Sequence, residues 1–352
     1  MKKACSIKEV AREAGVSIAT VSHVINNTKY VSPELSKKVR DTIKRMDYHV
    51  MPLAKGLKSG TTMTIGVIVT DLSRVFFSQL LKGIQNEANQ NGYHLILFDS
   101  SDSFRKENQF LHLLEAQWVD GILLDSVCPL ENTDYFASIQ KLGSANKRIP
   151  IVSLERCLSD YGIDSVYVDN VKGGYLAAEH LLQSGCRRIA HIQGPPDQQL
   201  SFDRLSGYSQ ALRDHGLPVD PTLLLTGNFQ PMGGYSETKK LLMTGALFDG
   251  VFAANDQMAI GALKACLEHG RSIPDDVKMV GFDNTFVSSL VYPALTTLDV
   301  PKYRMGQTAM QVLLRRIRQP DAPLVAEQLP ISLIHRTSTN KDGDKSWDLF
   351  GW

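Results

Sequence analysis

Residues 6–32 read SIKEVAREAGVSIATVSHVINNTKYVS. Ile7, Val10, Ala11 and Ala14 recur at i, i+3, i+4 and i+7, the apolar stripe of one helix. Gly15 permits a turn behind it, and Val16 can plug the angle between two helices. Ser17 stands where an N-cap belongs and opens a second helix, IATVSHVIN, over 18–26. Val21, Val24 and Ile25 of that helix face inward, which leaves Ile18, Ala19, Ser22, His23 and Asn26 outside. A third helix opens at Ser32-Pro33, an N-cap followed by proline at the first helical position, with Leu35, Val39, Ile43 and Met46 as its buried stripe. Helix, tight turn and helix, with a polar outer face on the second, is the helix-turn-helix layout. A helix fits the major groove, where Ser22, His23 and Asn26 can donate to or accept from base edges.

Charge points the same way. Residues 1–60 hold 12 Lys and Arg against 5 Asp and Glu, a net of +7, whereas the remaining 292 carry 26 against 32, a net of −6. A basic head on a mildly acidic body predicts a polyanion partner for the head alone. The first 15 residues, MKKACSIKEVAREAG, carry charges throughout and lack an apolar signal core, and no apolar run approaches a membrane span. Five scattered cysteines with no CxxC pair disfavour a disulfide scaffold or a zinc site and suit a reducing compartment. The expectation is a cytoplasmic chain with no membrane partner, metal or cofactor. By composition, residues 49–60, HVMPLAKGLKSG, read as a linker, since Gly56 weakens any helix started at Pro52 by about 1 kcal/mol.

From residue 61 the pattern changes. Short apolar runs, TIGVIV (64–69), HLILFD (94–99), DGILLD (120–125), PIVSL (150–154), RIAHIQ (188–193), DGVFAA (249–254) and VKMVGF (277–282), alternate with stretches of helical period. That alternation predicts doubly wound parallel sheets. Nearly 280 residues suit two lobes better than one sheet. WVDGILL (118–124) and LFDGVFA (247–253) hint at an internal repeat. The predicted class is therefore α/β, an all-α head followed by a two-lobed core.

Ligands of open parallel sheets bind beyond the carboxyl ends of the strands. The residues there are Asp71, Ser73, Arg74, Phe76 and Phe77; 99–102; Glu155 and Arg156; Gln198, Gln199 and Arg204; Asn255 and Asp256; Asp283 and Asn284. Carboxylates, amides, arginines and rings in one cleft suit a sugar, whose hydroxyls need bidentate polar partners and whose C–H faces stack on rings. The plainer alternative is that Asp and Asn after strands cap the next helix. Enzyme signatures are absent: there is no GxSxG, HExxH, GxxxxGK[ST] or strand-following GxGxxG. His180 and His191 read as packing residues.

The stretch 6–32, together with LAKGLKSG, TIGVIV, FFSQLLKGI, VDGILL, DNVKGGYLAAEHLL, RLSGY, AANDQMAIGAL, VGFDN and PALTTL, resembles the lactose-repressor (LacI/GalR) family over residues 6 to about 338. TVSHVIN and DNxxGGY look most like the ribose and purine repressors. The resemblance implies a head over 1–50, a DNA-induced hinge helix over 51–60, and a periplasmic-binding-protein-like core over 61–338. Its N-lobe would be about 61–163 with 300–327 and its C-lobe about 164–299 with 328–338, followed by a disordered tail, 339–352. In the head, Ile18, Ala19 and His23 would face bases, with Ser17, Thr20, Ser22 and Asn26 nearby. Leu57 would wedge into the minor groove beside Ala54 and Lys58. In the cleft, Phe76, Phe77 and Phe229 match ring-stacking or wall positions. Arg204, Asn255 and Asp283 match polar ligand contacts, and Glu155 with Arg156 occupies a further ligand position.

Departures sharpen the expectation. Arg74 stands where the family usually has Asn, so it either meets an anionic ligand group or swings to solvent. Gln198 and Leu200 replace the Arg and Thr by which the purine repressor reads a nucleobase, which disfavours a purine. The tail KDGDKSWDLFGW lacks tetramerising leucine heptads, so a dimer is expected. The resulting expectation is a homodimeric repressor, not an enzyme, that reads a pseudo-palindromic operator and is controlled by a sugar-like effector. A sugar acid, sugar phosphate or nucleoside effector, or a solute receptor without a regulatory role, are the alternatives.

Overall fold

The computed structural model describes residues 5–26, 29–48, 61–117, 119–144 and 147–348. The chain divides into two units, one ending at Thr62 and one beginning at Met63. The first contains α1 (Ile7–Ala14), α2 (Ile18–Asn26) and α3 (Pro33–Arg45). Ser6 and Glu9 form a capping box at the start of α1, and Gly15 ends it at φ 62°, a left-handed conformation. Ser17 Oγ accepts from the Thr20 amide at 3.1 Å at the start of α2. Ser32 caps α3, whose first residue is Pro33. Val10, Ala11, Ala14, Val21, Val24 and Val39 form the core of the three helices. Leu35, expected inside, is 40% exposed because this small core closes one turn short of it. The expected hinge helix over 51–60, with Ala54, Leu57 and Lys58, lies outside the described residues.

The second unit runs β1 (Thr64–Val69), α4 (Phe76–Gln90), β2 (His94–Asp99), α5 (Phe104–Ala116), β3 (Gly121–Leu124), α6 (Thr133–Ile139), the short ribbon β4 (Gly143–Ser144) and β5 (Lys147–Arg148), β6 (Ile151–Glu155) and β7 (Asp164–Val168). It continues through α7 (Asn170–Gln183), β8 (Ile189–Gln193), α8 (Gln199–Asp214), β9 (Leu224–Thr226), α9 (Pro231–Met243), β10 (Gly250–Ala253), α10 (Asp256–Glu268), β11 (Lys278–Asp283), α11 (Phe286–Leu290) and β12 (Thr296–Asp299). The chain then returns through α12 (Lys302–Arg318) and β13 (Ala326–Leu329), and crosses again to β14 (Ser332–Ile334).

Two six-stranded sheets result, ordered β13-β7-β6-β3-β1-β2 and β14-β12-β11-β10-β8-β9. Pairing is parallel throughout except at β12–β14. The inner strands are buried along their length, as sheets covered by helices on both faces require. The GILL and GVFA portions of the repeated segments form β3 and β10, which hold equivalent places in the two sheets.

One boundary expectation is corrected. The resemblance places the first crossover at about 163–164, yet β7 stays in the first lobe, with Val166 beside Leu154. Arg316 of α12 also grips the Asp164 carboxylate through Nε and Nη2 at 2.8 and 2.9 Å. DSVYV opens on two polar residues and so lacks the continuous apolar signature of its neighbours. The return to the second lobe, expected at about 327, follows Leu329, the last residue of β13. The tail, expected to be disordered, is docked as far as Asp348. Thr339 is buried and its Oγ1 lies 2.8 Å from Thr296 Oγ1. The Asp344 amide donates to His335 O, and that of Asp348 to Ser289 Oγ at 2.9 Å. Among the described residues no helix is long and apolar enough to cross a membrane.

Candidate functional site

The loops that leave the strand ends of the two lobes enclose a cavity of about 20 Å³ lined by Arg74, Phe76, Phe77, Glu155, Leu200, Arg204, Phe229, Asn255 and Asp283. Every effector position expected from the sequence is there except Arg156, which lines a smaller neighbouring space. Of the eight non-glycine residues with positive φ among the described residues, Glu155, Phe229 and Asp283 line this cavity and Asp102 pairs with its Arg74. Backbone strain of this kind concentrates where side chains must be aimed against local preference. At the Asp283 end, Lys302, itself buried, donates Nζ to the Asp283, Asn284 and Val300 carbonyls and holds the strained turn in place.

Each polar wall is pre-set by the fold. Arg204 projects from α8, donates Nε to Asn170 Oδ1 at 2.9 Å and Nη1 to Ala254 O, and lies 3.8 Å over the Phe282 ring. Asn255 realises the plainer alternative: its Oδ1 caps α10 at the Met258 amide and its Nδ2 holds Phe229 O, both at 2.9 Å. It lines the cavity while serving the scaffold. Phe76 and Phe77 meet edge to face with centroids 5.3 Å apart at the start of α4. Burial raises the Asp283 carboxyl to about 7, opposed by Arg204, and raises Glu155 well above its ordinary value, with Asp125 and Asp283 adding to the shift. Burial lowers the Arg204 guanidinium pKa, and the nearby carboxylates Asp283 and Glu155 counter it.

Arg74 enters the cleft and is 8% exposed. Its guanidinium pairs with Asp102, donates to Thr70 Oγ1 at 3.1 Å and lies 4.8 Å from the Phe229 ring centroid. Asp102 in turn accepts from Gln198 Nε2 of the second lobe at 3.1 Å. Three more hydrogen bonds cross the mouth: Gln230 Nε2 to Asp71 Oδ2 at 2.7 Å and to Ser73 Oγ at 2.8 Å, and the Val75 amide to Gln257 Oε1 at 3.0 Å. Sequence reasoning passed over Asp125, the last residue of its own strand run, and the bridging role of Gln198. Position at a strand end was a signal for Asp125, whereas nothing in the sequence couples residue 102 to residue 198.

In the head, Ile18 of α2 is 45% exposed, Ser17 and Ala19 are exposed, and Thr20, Ser22 and His23 are half-buried. Ser17 Oγ also lies 2.9 Å from Thr20 Oγ1, so these two hydroxyls are engaged at the start of the helix. Asn26 is the last residue of α2.

Residues 6–50 match the lacI family of bacterial regulatory proteins, and residues 178–339 match the periplasmic binding protein-like domain. The ribose operon repressor of Halalkalibacterium halodurans is 33% identical over 341 residues, which span 97% of this chain and 98% of that repressor. The chain belongs to the LacI family. A crystal structure of the lac repressor dimer bound to operator and the anti-inducer ONPF matches it with a TM-score of 0.84 at 28% identity, over 96% of this chain and 99% of that one. A LacI-family regulator from Enterococcus faecium with bound ribose matches with a TM-score of 0.69 at 33% identity, over 78% of this chain and 98% of that one. As a LacI-family member the chain is a transcriptional regulator with a helix-turn-helix DNA-binding head and a periplasmic-binding-protein-like core. The relatives it matches are regulators, not enzymes.

Proposed function

We propose that this LacI-family regulator is a cytoplasmic homodimeric repressor whose affinity for a pseudo-palindromic operator is set by a neutral sugar bound between the core lobes. The observation that carries the effector reading is the cavity itself, where two carboxyl groups, two guanidinium groups and three phenyl rings from both lobes converge. The ribose held by the Enterococcus faecium relative supports it. Arg74 favours a neutral sugar over an acid, because its charge is already matched by Asp102. A space of about 20 Å³ holds little more than one water, so the lobes part for the ligand to enter.

On the DNA side, Ile18, Ala19 and His23 read bases, with Ser17, Thr20, Ser22 and Asn26 beside them. Leu57, flanked by Ala54 and Lys58, wedges the minor groove at the centre of the site. The operator-bound lac repressor dimer supports two-fold assembly, as does β2, the unpaired edge of the first sheet, which exposes Leu97. The test is a thermal-shift screen of the full chain against neutral sugars, sugar acids, sugar phosphates and nucleosides, followed by operator binding with each hit. Stabilisation by a neutral sugar together with a change in operator affinity is expected. Binding of a nucleobase and of no sugar overturns the reading.

A further inference from the structure

The turn that carries Asp283 into the cavity is held from behind by a residue that does not line it. β11 ends on Asp283 at φ 111°, and Asn284 follows at φ 50°. Side chains other than glycine adopt such conformations only where the surroundings impose them. Lys302 grips the two carbonyls of this turn. The Asn284 side chain is fixed separately: Nδ2 donates to Asp299 Oδ1 at 2.9 Å, and Oδ1 accepts from Arg336 Nη2 at 2.8 Å. Arg336 lies two residues beyond β14 and is 2% exposed. Its Nη1 donates to Ser288 Oγ of α11 at 2.8 Å and to Leu295 O at 3.0 Å, while Nε has no acceptor among the described residues. Its backbone is pinned as well, with Thr296 Oγ1 2.9 Å from the Arg336 amide and 3.0 Å from its carbonyl.

One guanidinium thus joins the strained turn, the short helix after it and the residue that precedes β12. Burying a charge is costly unless its hydrogen bonds are made. The three oxygens that Arg336 meets are all neutral, so what the side chain supplies is geometry. Its planar fork points donors in fixed directions, which a lysine ammonium on a flexible stem does not reproduce. Asp256 braces the next residue of the same loop, accepting from the Thr285 amide at 2.7 Å and hydroxyl at 3.0 Å. The loop is therefore held on several sides, and Arg336 reaches it from 52 residues further along the chain.

We propose that Arg336 is a positioning residue for effector binding: by holding Asn284 it keeps the Asp283 carboxyl aimed into the cavity. This rests on the sugar-effector reading above. The test is a thermal-shift titration of the full chain with D-ribose, D-glucose and D-galactose, carried to concentrations that reach weak affinities. The best binder is then titrated into Arg336→Lys, Asp283→Ala and the double variant, with folding of each checked by circular dichroism. Asp283→Asn stands in where Asp283→Ala binds too weakly to titrate. Arg336→Lys should weaken the sugar about fivefold or more when Asp283 is present. In the Asp283→Ala background the same change should cost less than about twofold, because the group it aims is gone. Should Arg336→Lys not fold, Asn284→Gly takes its place in the same cycle with the same coupling expected, since glycine accepts φ 50° and removes the amide that Arg336 holds. Equal losses in the two backgrounds, which a merely structural role would give, or no loss when Asp283 is present, overturn the positioning role while the sugar reading stands. Failure of every sugar to bind wild type overturns the sugar reading, and this proposal with it.

Discussion

Arg204 couples the candidate ligand position to the scaffold, because the same guanidinium that lines the cavity is tied to Asn170, Ala254 and Phe282. Losing a charged hydrogen-bonding partner from a desolvated site costs about 1.5–3 kcal/mol. Arg204→Ala and Asp283→Ala should therefore each lower effector affinity at least tenfold in calorimetry, while operator binding without effector persists. Asp283 also makes a pH prediction. Its carboxyl is raised from 3.8 to about 7 by burial, so the folded state holds a proton that the unfolded state releases. The stability this contributes is full below the unfolded value and is lost as pH rises through about 7. His180 and His191, both lowered to about 4 by burial, act in the opposite sense, so the wild-type curve alone does not isolate Asp283. The Tm of wild type relative to Asp283→Asn should accordingly fall as pH rises from about 4 to about 7 and then level off. A difference that rises over this window would contradict the reading.

At the scale of elements, α2 and the α7–α8 pair carry the consequences. If His23 contacts a base edge, His23→Ala should relax preference at one position per half-site, by about 1–3 kcal/mol, in a binding series on single-base operator variants. A uniform loss across all positions would assign His23 to the phosphates instead. In the core, α7 and α8 pack backbone to backbone through two glycines. A Cβ on Gly174 would collide with the Arg204 carbonyl, and one on Gly207 with that of Val171. Alanine gains about 1 kcal/mol of helix propensity over glycine, but a clash with backbone cannot be relieved by a rotamer, and overpacking typically costs about 1–3 kcal/mol. Gly174→Ala should thus lower Tm despite its better propensity, and should weaken effector binding because Arg204 moves with α8.

For the molecule as a whole, DNA recognition and effector binding belong to separate units. A chain of residues 61–352 should bind effector and lose specific operator affinity, measured by fluorescence anisotropy on operator and scrambled DNA. In the intact protein, operator affinity should fall steeply with salt as Lys and Arg contacts release counterions. The four hydrogen bonds across the cleft mouth, through Gln198, Gln230 and Gln257, hold the lobes together in the closed arrangement. An effector that changes operator affinity 100-fold must favour one lobe arrangement by about 2.7 kcal/mol. A few amide hydrogen bonds, each contributing about 0.5–1.5 kcal/mol, are of the right size to set that balance.

Much of this was readable without coordinates. The three head helices follow from the spacing of Val10, Ala14, Val21 and Val24, and from caps at Ser17 and Ser32, because local capping and periodicity depend on near neighbours in the chain. The β1, β3, β6 and β10 runs were legible because strands buried on both faces are apolar throughout. β7 was assigned to the wrong lobe because its opening Asp164 is paid for by Arg316, 152 residues away, a compensation invisible to local pattern. The tail was misread for the same reason, since Thr339 and Asp348 find their partners at Thr296 and Ser289. In the cleft, residue type and position at strand ends named seven of the nine lining residues, the family resemblance added Phe229, and only Leu200 was not among those proposed to bind ligand. The sequence could not decide how charge is shared: whether Arg74 meets Asp102 or a ligand, whether Asn255 spends its amide on a helix cap, and which oxygens the Arg336 guanidinium meets. Those outcomes are set by distances between side chains far apart in the chain, and electrostatics in a buried site varies with such distances more steeply than with residue identity.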